Sequence, residues 1–299
     1  MADPGVLPVA ARAAILAWYE RSGRGLPFRA TTDPYAILVS EAMAQQTQAA
    51  RAGEAWVRFL DAFPTAATLA AASPADVLRM WRGLGYNRRA LNLWRAAQLI
   101  VNTHGGTVPQ ELGALEALPG VGPYTARAVA AIAFGLPVGA VDTNVRRVLG
   151  RIVAGDAGVL GPGAIQAVAD AAVPADRPGA WTHAIMDLGA TVCLPRRPDC
   201  EGCPARQWCQ YASRTSAEAR PRARKATPPF PQTTRWLRGQ LIDRLRAAIG
   251  DDWLAIEEPV GTHDPGAVAM ALETLAREGL VELDGTTASG GRRARLPVA

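Results

Sequence analysis

The chain has 299 residues, of which 49% are hydrophobic and 20% charged, an ordinary balance for a globular protein with one large domain or two unequal ones. No apolar run approaches the roughly 18 residues of a membrane span, and residues 1–8 lack the basic start and apolar stretch of a signal peptide; we therefore expect a cytoplasmic protein. The net charge of +5 and the pI near 9.4 favour a polyanionic partner, although many basic proteins never bind nucleic acid.

The first two thirds of the chain predict a mainly α fold. Residues 9–210 contain helical patterns in succession, with no convincing alternation of a strand. Aromatic and apolar residues recur at helical spacing over 56–63 and predict one buried helix face. Ser73 has the pattern of an N-cap, because Pro74 and Asp76 follow it.

The composition changes after residue 211. Residues 212–233 are rich in arginine and proline, which is typical of a linker. They predict an N-terminal domain (1–211) and a C-terminal module (234–299). About 65 residues are enough for a separate core, although a marginal one.

The C-terminal module predicts a winged-helix-like arrangement. Residues 234–249 and 265–279 have the patterns of amphipathic helices. Residues 280–283 predict a strand, and a Gly/Thr-rich tip at 285–291 would let residues 292–296 return as the second strand of a hairpin.

Four cysteines lie close together with the spacing C-x6-C-x2-C-x5-C: Cys193, Cys200, Cys203 and Cys209. In a chain without an export signal, this clustering suits a metal centre better than disulfides. Four-cysteine zinc sites usually consist of two C-x2-C pairs, whereas this segment has one such pair with wider gaps beside it. The spacing therefore favours a 4Fe–4S cluster in the loop 193–209, with zinc as the alternative.

The cysteine loop also carries a basic tip. Arg196 and Arg197 stand between two prolines and are suited to contact a DNA phosphate, although a solvated pair of charges is the alternative. We prefer a structural cluster that orders this tip.

Residues 115–126 predict a short helix, a glycine turn and a second helix. Gly120 and Gly122 permit positive φ and, with Val121 between them, expose backbone N–H groups. Such groups at a helix N-terminus bind a phosphate without reading the base sequence. The segment resembles the helix–hairpin–helix element of DNA repair proteins.

Asp142 precedes an apolar-periodic helix, the ordinary place of an N-cap. The hairpin, this aspartate and the downstream cysteines, in this order and spacing, are similar to the helix–hairpin–helix glycosylase superfamily over about residues 10–210. The resemblance implies a two-lobed helical fold, a partner of double-stranded DNA with a mismatched or damaged base, and an Asp142 carboxylate that faces the sugar of the scissile bond.

Residues 39–48 are similar to the segment of the MutY adenine glycosylases that carries the catalytic glutamate, here Glu41; a solvated helix residue is the alternative. The apolar and amide-rich surroundings would raise the pKa of Glu41 and keep it protonated. The resemblance implies that Glu41 protonates the adenine ring. An ionised Asp142 then stabilises the oxocarbenium-like sugar, as in glycoside hydrolysis by two carboxylates.

Position 124 bears on strand cleavage. Relatives that resemble endonuclease III have a lysine there, which attacks the sugar covalently and cuts the strand. Tyr124 takes this place, and Lys225 is the only lysine of the chain, so we expect base removal without efficient strand cleavage. The resemblance further implies that Tyr124 hydrogen-bonds Asp142 and that Asn144 orients the attacking water.

The same resemblance implies further DNA contacts. Gln45 and Gln46 are expected to contact DNA. Gln46 and Tyr86 would insert as wedges into the base stack. For Tyr86, packing on the core is the alternative. Four residues match positions near the base pocket, where surface arginines and a structural histidine are the competing interpretations: Arg24, Phe28, Arg29 and His183.

Several positions depart from the MutY pattern. Phe28 replaces a common Trp, Ala44 a Leu, Asn87 a second Tyr, and His183 a Gln or Glu. The C-terminal module is too short for the nudix-like domain that reads 8-oxoguanine in many MutY-like enzymes, so the resemblance is to a short form.

The leading hypothesis is a monomeric, monofunctional glycosylase that removes adenine opposite 8-oxoguanine or guanine in base excision repair. A thymine or uracil mismatch glycosylase on the same scaffold is the second hypothesis. A catalytically silent DNA-binding protein is the third.

Overall fold

A computed structural model describes residues 7–214, 228–248, 250–256, 259–286 and 292–298. The described residues are mainly helical, as predicted. The helices are, in chain order, α1 (Val9–Ser22), α2 (Pro34–Ala44), α3 (Ala49–Ala62), α4 (Ala66–Ala71), α5 (Pro74–Met80), α6 (Arg88–His104), α7 (Leu112–Glu116), α8 (Pro123–Ala133), α9 (Thr143–Ala154), α10 (Pro162–Ala172), α11 (Pro178–Asp187), α12 (Gln210–Arg214), α13 (Thr234–Arg246) and α14 (Pro265–Arg277). Within these ranges no helix has the length and apolarity needed to cross a membrane.

Two helix starts follow from side-chain caps that the sequence predicts. The Ser73 hydroxyl accepts the backbone N–H of Asp76 at 3.1 Å and begins α5. The Asp142 carboxylate accepts the backbone N–H of Val145 at 2.7 Å and begins α9. Each cap satisfies an N–H group that the first helical turn leaves without a partner.

The described chain forms two compact units, in keeping with a two-lobed fold. The first unit comprises Met1–Glu41, Val108–Ala117 and Val121–Ala223. In it, α11 packs against α1, α8 and α9. Residues of α1, α9 and α11, with Leu7 before α1, belong to one core that includes Leu7, Ile15, Val148, Ile152, Trp181 and Ile185.

The second unit comprises Ala42–Thr107, Leu118–Gly120 and Arg224–Ala299. Here α6 packs against α4 and α5. The rings of Phe59 and Trp81, both fully buried, meet edge to face with centroids 6.0 Å apart. The expected burial of the 56–63 helix face is thus confirmed at Phe59. The C-terminal module lies within this unit, and its separation as an independent domain stays a prediction.

The C-terminal module contains α13, α14 and a three-stranded antiparallel sheet in the order β1-β3-β2. The strands are β1 (Leu254–Ile256), β2 (Glu282–Thr286) and β3 (Arg292–Arg295). Leu254 of β1 and Leu283 of β2 both pair with Ala294 of β3. Helices joined to a small sheet agree with the winged-helix-like expectation.

Some predicted boundaries in this region were wrong. Strand β1 was not foreseen, and β2 begins at Glu282 and continues through Thr286, into the predicted tip. The two helices end at Arg246 and Arg277, before the predicted ends. The rest of the tip, 287–291, lies outside the described residues.

The predicted linker is partly structured where the structure describes it. Helix α12 reaches Arg214, inside the expected linker, and Phe230–Gln232 forms a 3₁₀ turn. Residues 215–227 lie outside the described ranges.

Candidate active site

Glu41 lies near the end of α2, after the buried residues 36–40. The residue keeps some accessible surface, but the loss of water around its carboxyl is the largest influence and raises the pKa of Glu41 to about 7. A hydrogen bond from Tyr124 and the charge of Arg29 lower this pKa, while the charge of Asp142 raises it. The direction agrees with the expectation from sequence, and the carboxyl is about half protonated near pH 7.

Tyr124 lies in the first turn of α8. Its hydroxyl donates a hydrogen bond to the Glu41 carboxylate and lies 3.6 Å from the Met186 sulfur. Burial, together with the negative charges nearby, raises the pKa of Tyr124 well above 10. Among the described contacts, Tyr124 forms no hydrogen bond with Asp142, although the resemblance implied one; the partners of its hydroxyl are Glu41 and Met186.

Asp142 is held by two donors at the start of α9. One carboxylate oxygen accepts the Val145 N–H at 2.7 Å, and the other accepts the side-chain amide of Asn144 at 3.0 Å. The Asn144 carbonyl in turn accepts a hydrogen bond from Arg147 at 2.8 Å. The Asn144 amide thus orients Asp142, and its implied role toward water stays a prediction.

Arg147 connects this carboxylate to the cysteine loop. Its guanidinium also donates to the backbone carbonyls of Cys193 and Gly189, both at 2.7 Å. Gly189 lies in a π-helical turn (Leu188–Val192) that extends α11. A Cβ at Gly189 would lie 2.7 Å from the Asn144 Cβ, so only glycine permits this approach.

A third carboxylate of the same unit, Asp187 at the end of α11, is fully buried. It accepts the Arg24 backbone N–H at 2.9 Å and the Arg24 Nε at 2.7 Å, and forms a two-pronged ion pair with Arg29. Burial alone would raise the pKa of Asp187, but these hydrogen bonds outweigh it and lower the pKa. The Arg29 side chain is only 8% exposed, so the surface interpretation of this arginine was wrong.

His183 lies one helical turn before Asp187. Its ring centroid is 6.3 Å from that of Tyr19, over which the Arg29 guanidinium lies at 5.6 Å. Burial, with the charge of Arg29, lowers the pKa of His183 to about 4, so the imidazole is neutral near pH 7. Phe28 is partly buried in the adjacent 3₁₀ turn Pro27–Arg29.

The implied wedge residues belong to the second unit and share an unusual backbone. Gln46 has φ 55° and Tyr86 has φ 46°, and among the described non-glycine residues only these two have positive φ. Gln46 and the Tyr86 ring are both exposed, whereas Gln45 is partly buried. Left-handed backbone at bulky residues costs about 1–3 kcal/mol each and clusters at functional sites.

A single guanidinium holds both of these loops. Arg89 donates to the carbonyls of Ala42 and Met43 and to the Thr47 hydroxyl at 2.8–3.1 Å. The same side chain donates to the carbonyls at positions 84 and 85, at 3.0 and 3.1 Å. Burial lowers the pKa of Arg89 to about 10, which still leaves it charged near pH 7.

The glycine hairpin joins α7 to α8 as predicted. Gly120 has φ 81°, and an added Cβ would lie 2.8 Å from the Asn92 Cβ. Gly122 instead has φ −97°, so of the two glycines only Gly120 adopts the positive φ that glycine permits. Gly122 is exposed as the N-cap of α8, and the Val121 side chain is buried.

The four cysteines are unpaired and line one pocket with apolar walls from α9 and the π-helical turn. In the described residues, no three His, Cys, Asp or Glu side chains converge where a single metal ion would bind. A tetrahedral zinc site would need four sulfurs about 2.3 Å from one point. Four cysteine sulfurs around one pocket supply the thiolate donors that an iron–sulfur cluster requires.

Arg151 of α9 holds the first part of the cysteine loop. It donates to the Cys193 sulfur at 3.3 Å and to the carbonyls of Leu194 and Pro195 at 2.8 and 3.0 Å. The next two residues, Arg196 and Arg197, are exposed. The basic tip is thus exposed to solvent, and the backbone just before it is fixed by hydrogen bonds from Arg151.

Sequence reasoning missed three residues that organise the site: Arg89, Arg147 and Asp187. Asp187 stands four residues after His183, a spacing that puts two side chains on one helix face, and this signal was available. Arg89 and Arg147 had no such signal in the sequence, because nothing distinguishes them from the many other arginines of the chain.

Comparisons with known proteins identify a family and several relatives. A family model described as HhH-GPD superfamily base excision DNA repair protein matches residues 39–158, which include Glu41, Tyr124 and Asp142. An adenine DNA glycosylase of Mycobacterium tuberculosis is 42% identical over 273 residues, covering 89% of this chain and 88% of that protein. A human adenine DNA glycosylase is 40% identical, covering 69% of this chain and 40% of that protein. The solved structure of a thermostable thymine-DNA glycosylase is similar with a TM-score of 0.64 at 31% identity, covering 68% of this chain and 94% of that chain.

Proposed function

Because the chain belongs to the HhH-GPD superfamily of base excision DNA repair proteins and, within it, to the adenine DNA glycosylases, we propose that it hydrolyses the N-glycosidic bond of adenine mispaired with 8-oxoguanine or guanine. The relatives named adenine DNA glycosylases support adenine as the excised base. The opposite base, the roles of individual residues and the absence of strand cleavage are proposed on chemical grounds.

The observation that carries the mechanism is the joint position of two carboxyl groups around one phenol. The charges of Glu41 and Asp142 both raise the pKa of Tyr124, and the Tyr124 hydroxyl keeps its proton and donates a hydrogen bond to the Glu41 carboxylate. With a pKa of about 7, Glu41 is a strong enough acid to protonate a ring nitrogen of adenine and is still substantially protonated at neutral pH. This matches the need for an acid at the leaving group.

Asp142 supplies the opposite charge. When the C1′–N9 bond breaks, its electron pair leaves with the protonated adenine and the sugar becomes an oxocarbenium ion. The Asp142 carboxylate, fixed by Val145 and Asn144, stabilises this cation. Water then adds to C1′ and gives its proton to the Glu41 carboxylate, which restores the acid and leaves an abasic site.

Strand cleavage would need an amine that forms a Schiff base with the sugar. Tyr124 stands where the lyase relatives have lysine, and Lys225 is the only lysine in the chain. The Tyr124 phenol stays protonated and hydrogen-bonded to Glu41, so it supplies no nucleophile. The protein should therefore release the base and leave the strand intact.

The base pocket is proposed to lie beside His183 and Arg29. Arg29 acts on the charge states of both Glu41 and His183, which links the two groups in one unit. A neutral imidazole offers one donor and one acceptor, which suits the edge of a purine. Arg24 and Phe28 adjoin this position through Asp187 and the turn before Arg29.

DNA contacts are proposed for the exposed loops. Gln46 and Tyr86, with their strained backbone, would enter the base stack where adenine leaves it, and Gln45 would contact DNA beside them. The backbone of the hairpin 120–122 and the tip of Arg196 and Arg197 would contact phosphates.

The four cysteines are proposed to hold a 4Fe–4S cluster. Support comes from their convergence on one pocket and from the arginine contacts that hold the surrounding loop. The cluster would supply structural order to the loop rather than take part in the glycosidic step. Iron and acid-labile sulfide in equal amounts, with a brown colour, are expected of the purified protein, whereas a colourless protein with one zinc would contradict this assignment.

The function is tested by incubation of the purified protein with duplexes that contain A:8-oxoG, A:G, T:G or U:G, followed by treatment with or without alkali. We expect breaks only at adenine and only after alkali. Breaks at T or U alone would replace this proposal with the thymine or uracil activity of the second hypothesis. Breaks without alkali would contradict the lack of strand cleavage.

Two variants test the residue roles. Glu41→Gln and Asp142→Asn should each lower the single-turnover rate by about 10³-fold, since each removes a group that acts in the transition state, and both should keep their affinity for DNA. Glu54→Gln, an exposed carboxylate on α3, is the matched control and should react at the wild-type rate. A normal rate for either active-site variant would overturn its assignment.

A further inference from the structure

Helix α13 of the C-terminal module contacts the loop that carries Tyr86. The Arg235 guanidinium carbon lies 4.2 Å from the centre of the Tyr86 ring and 5.8 Å from that of Phe230. Tyr86 is 39% exposed and Phe230 is 57% exposed. One cationic side chain of the module thus stacks beside the proposed wedge, together with a second exposed aromatic ring.

The neighbouring residue is held by the same helix. The Asn87 side-chain carbonyl accepts a hydrogen bond from Arg246 at 2.9 Å, and Arg246 also donates to the Leu78 carbonyl at 2.7 Å. The Arg246 side chain is only 4% exposed. Position 87 is one of the positions at which the chain departs from the MutY pattern, and the Asn87 amide contacts the C-terminal module. Helix α13 therefore contacts two consecutive residues of this loop, Tyr86 through Arg235 and Asn87 through Arg246.

Within the part of the chain that the structure describes, the Arg235 guanidinium has no hydrogen-bond acceptor. It forms no ion pair with a described carboxylate and donates no hydrogen bond to a described residue, whereas Arg238, one turn later, is paired with Glu278. Arg89 also lies beside the Tyr86 ring, at 5.7 Å, but its two terminal nitrogens already donate to loop carbonyls. A guanidinium stacked on a ring through its face still presents the N–H groups of its edge.

We propose that Arg235 binds a backbone phosphate of the DNA duplex beside Tyr86, so that the C-terminal module is part of the DNA-binding surface. The inference rests on the proposed function, because it takes Tyr86 as the residue that enters the base stack. Phosphate fits the site because the planar edge of a guanidinium binds two of its oxygens at once. Such a contact positions the duplex and carries no base preference.

The test measures binding of the full chain to a duplex with 8-oxoguanine opposite 2′-fluoro-deoxyadenosine, an analogue that resists hydrolysis. Arg235→Met keeps an unbranched stem against the rings but removes the charge. We expect the Kd to rise roughly tenfold at low salt. Because one phosphate contact contributes about 0.9 to the log–log salt slope, the ratio of variant to wild-type Kd should fall about eightfold for a tenfold rise in salt.

Arg244→Met is the matched control, since Arg244 is exposed on the same helix, on the opposite face and about 13 Å further along. It should keep the wild-type slope, and Arg235→Lys should keep most of it. A raised Kd with an unchanged slope in Arg235→Met would show that Arg235 only supports Tyr86 and would overturn the inference. If the wild type releases adenine but Arg235→Met binds normally, this inference alone fails; if the wild type releases no adenine, the proposed function fails with it.

Discussion

Asp187 and Glu41 are two carboxylates in the same unit that lose most of their contact with water, yet their pKa values move in opposite directions. Asp187 receives hydrogen bonds from two arginines, and its pKa is lowered. Glu41 has one neutral donor, Tyr124, and its pKa is raised to about 7. Burial raises the pKa in both places, so the number and charge of the donors decide the protonation state. One carboxylate is a structural anchor and the other is available as an acid.

The largest expected effect of this difference is on stability at Asp187. Asp187→Asn should lower the free energy of unfolding by about 3 kcal/mol, because it removes the negative charge between Arg24 and the nearly buried Arg29. Urea titration near pH 7 measures it. Glu20→Gln, which breaks the exposed pair with Arg177, is the control and should cost under about 1 kcal/mol. Equal effects of the two variants would mean that burial does not strengthen the Asp187 pair.

The same type of substitution should have the opposite sign at Glu41. The unfolded carboxyl ionises near pH 4.5 and the folded one near 7, so folding becomes less favourable as the pH rises between these values and changes little above them. The Glu41→Gln variant has no carboxyl at this position, so its stability does not decrease in this way as the pH rises. Relative to wild type, its free energy of unfolding should therefore increase by about 2 kcal/mol between pH 5.5 and pH 8. A difference that stays constant with pH would contradict the raised pKa.

The smallest expected effect concerns the hydrogen bond from Tyr124. The single-turnover rate of the wild type should fall as the pH rises through about 7, because the acid must be protonated. The Tyr124 hydroxyl lowers the pKa of Glu41, so Tyr124→Phe should move the midpoint of this fall upward, by up to about one pH unit. A midpoint that moves downward would indicate that Tyr124 stabilises the protonated acid instead.

The contrast between these carboxylates also marks what the sequence reveals. Local signals predicted the N-cap position of Asp142 and the raised pKa of Glu41, whose apolar neighbours lie on its own helix, whereas the catalytic roles of both residues came from the family resemblance. The partners of Asp187 were not predictable in this way, because Arg24 and Arg29 are 163 and 158 residues distant along the chain. Ion pairs of this kind depend on helix packing, which spacing does not encode.

The same limit applies to backbone detail. Strand β1 was missed because three residues give too short a pattern, and its partner β3 lies almost forty residues later. The positive φ of Gln46 and Tyr86 was also unpredictable, since neither residue type favours it. Tertiary contacts impose these conformations, so they become visible only when the chain is folded.

The contacts of Arg89 order the proposed DNA-binding loops before DNA binds. Its guanidinium fastens the loops of Gln46 and Tyr86 to one another through hydrogen bonds on both sides. Neither loop can shift alone without breaking some of these hydrogen bonds. Gln46 and Tyr86 are therefore held in a fixed position relative to one another. The conformational entropy of ordering the two loops is therefore lost when the protein folds. DNA binding does not have to order these loops again.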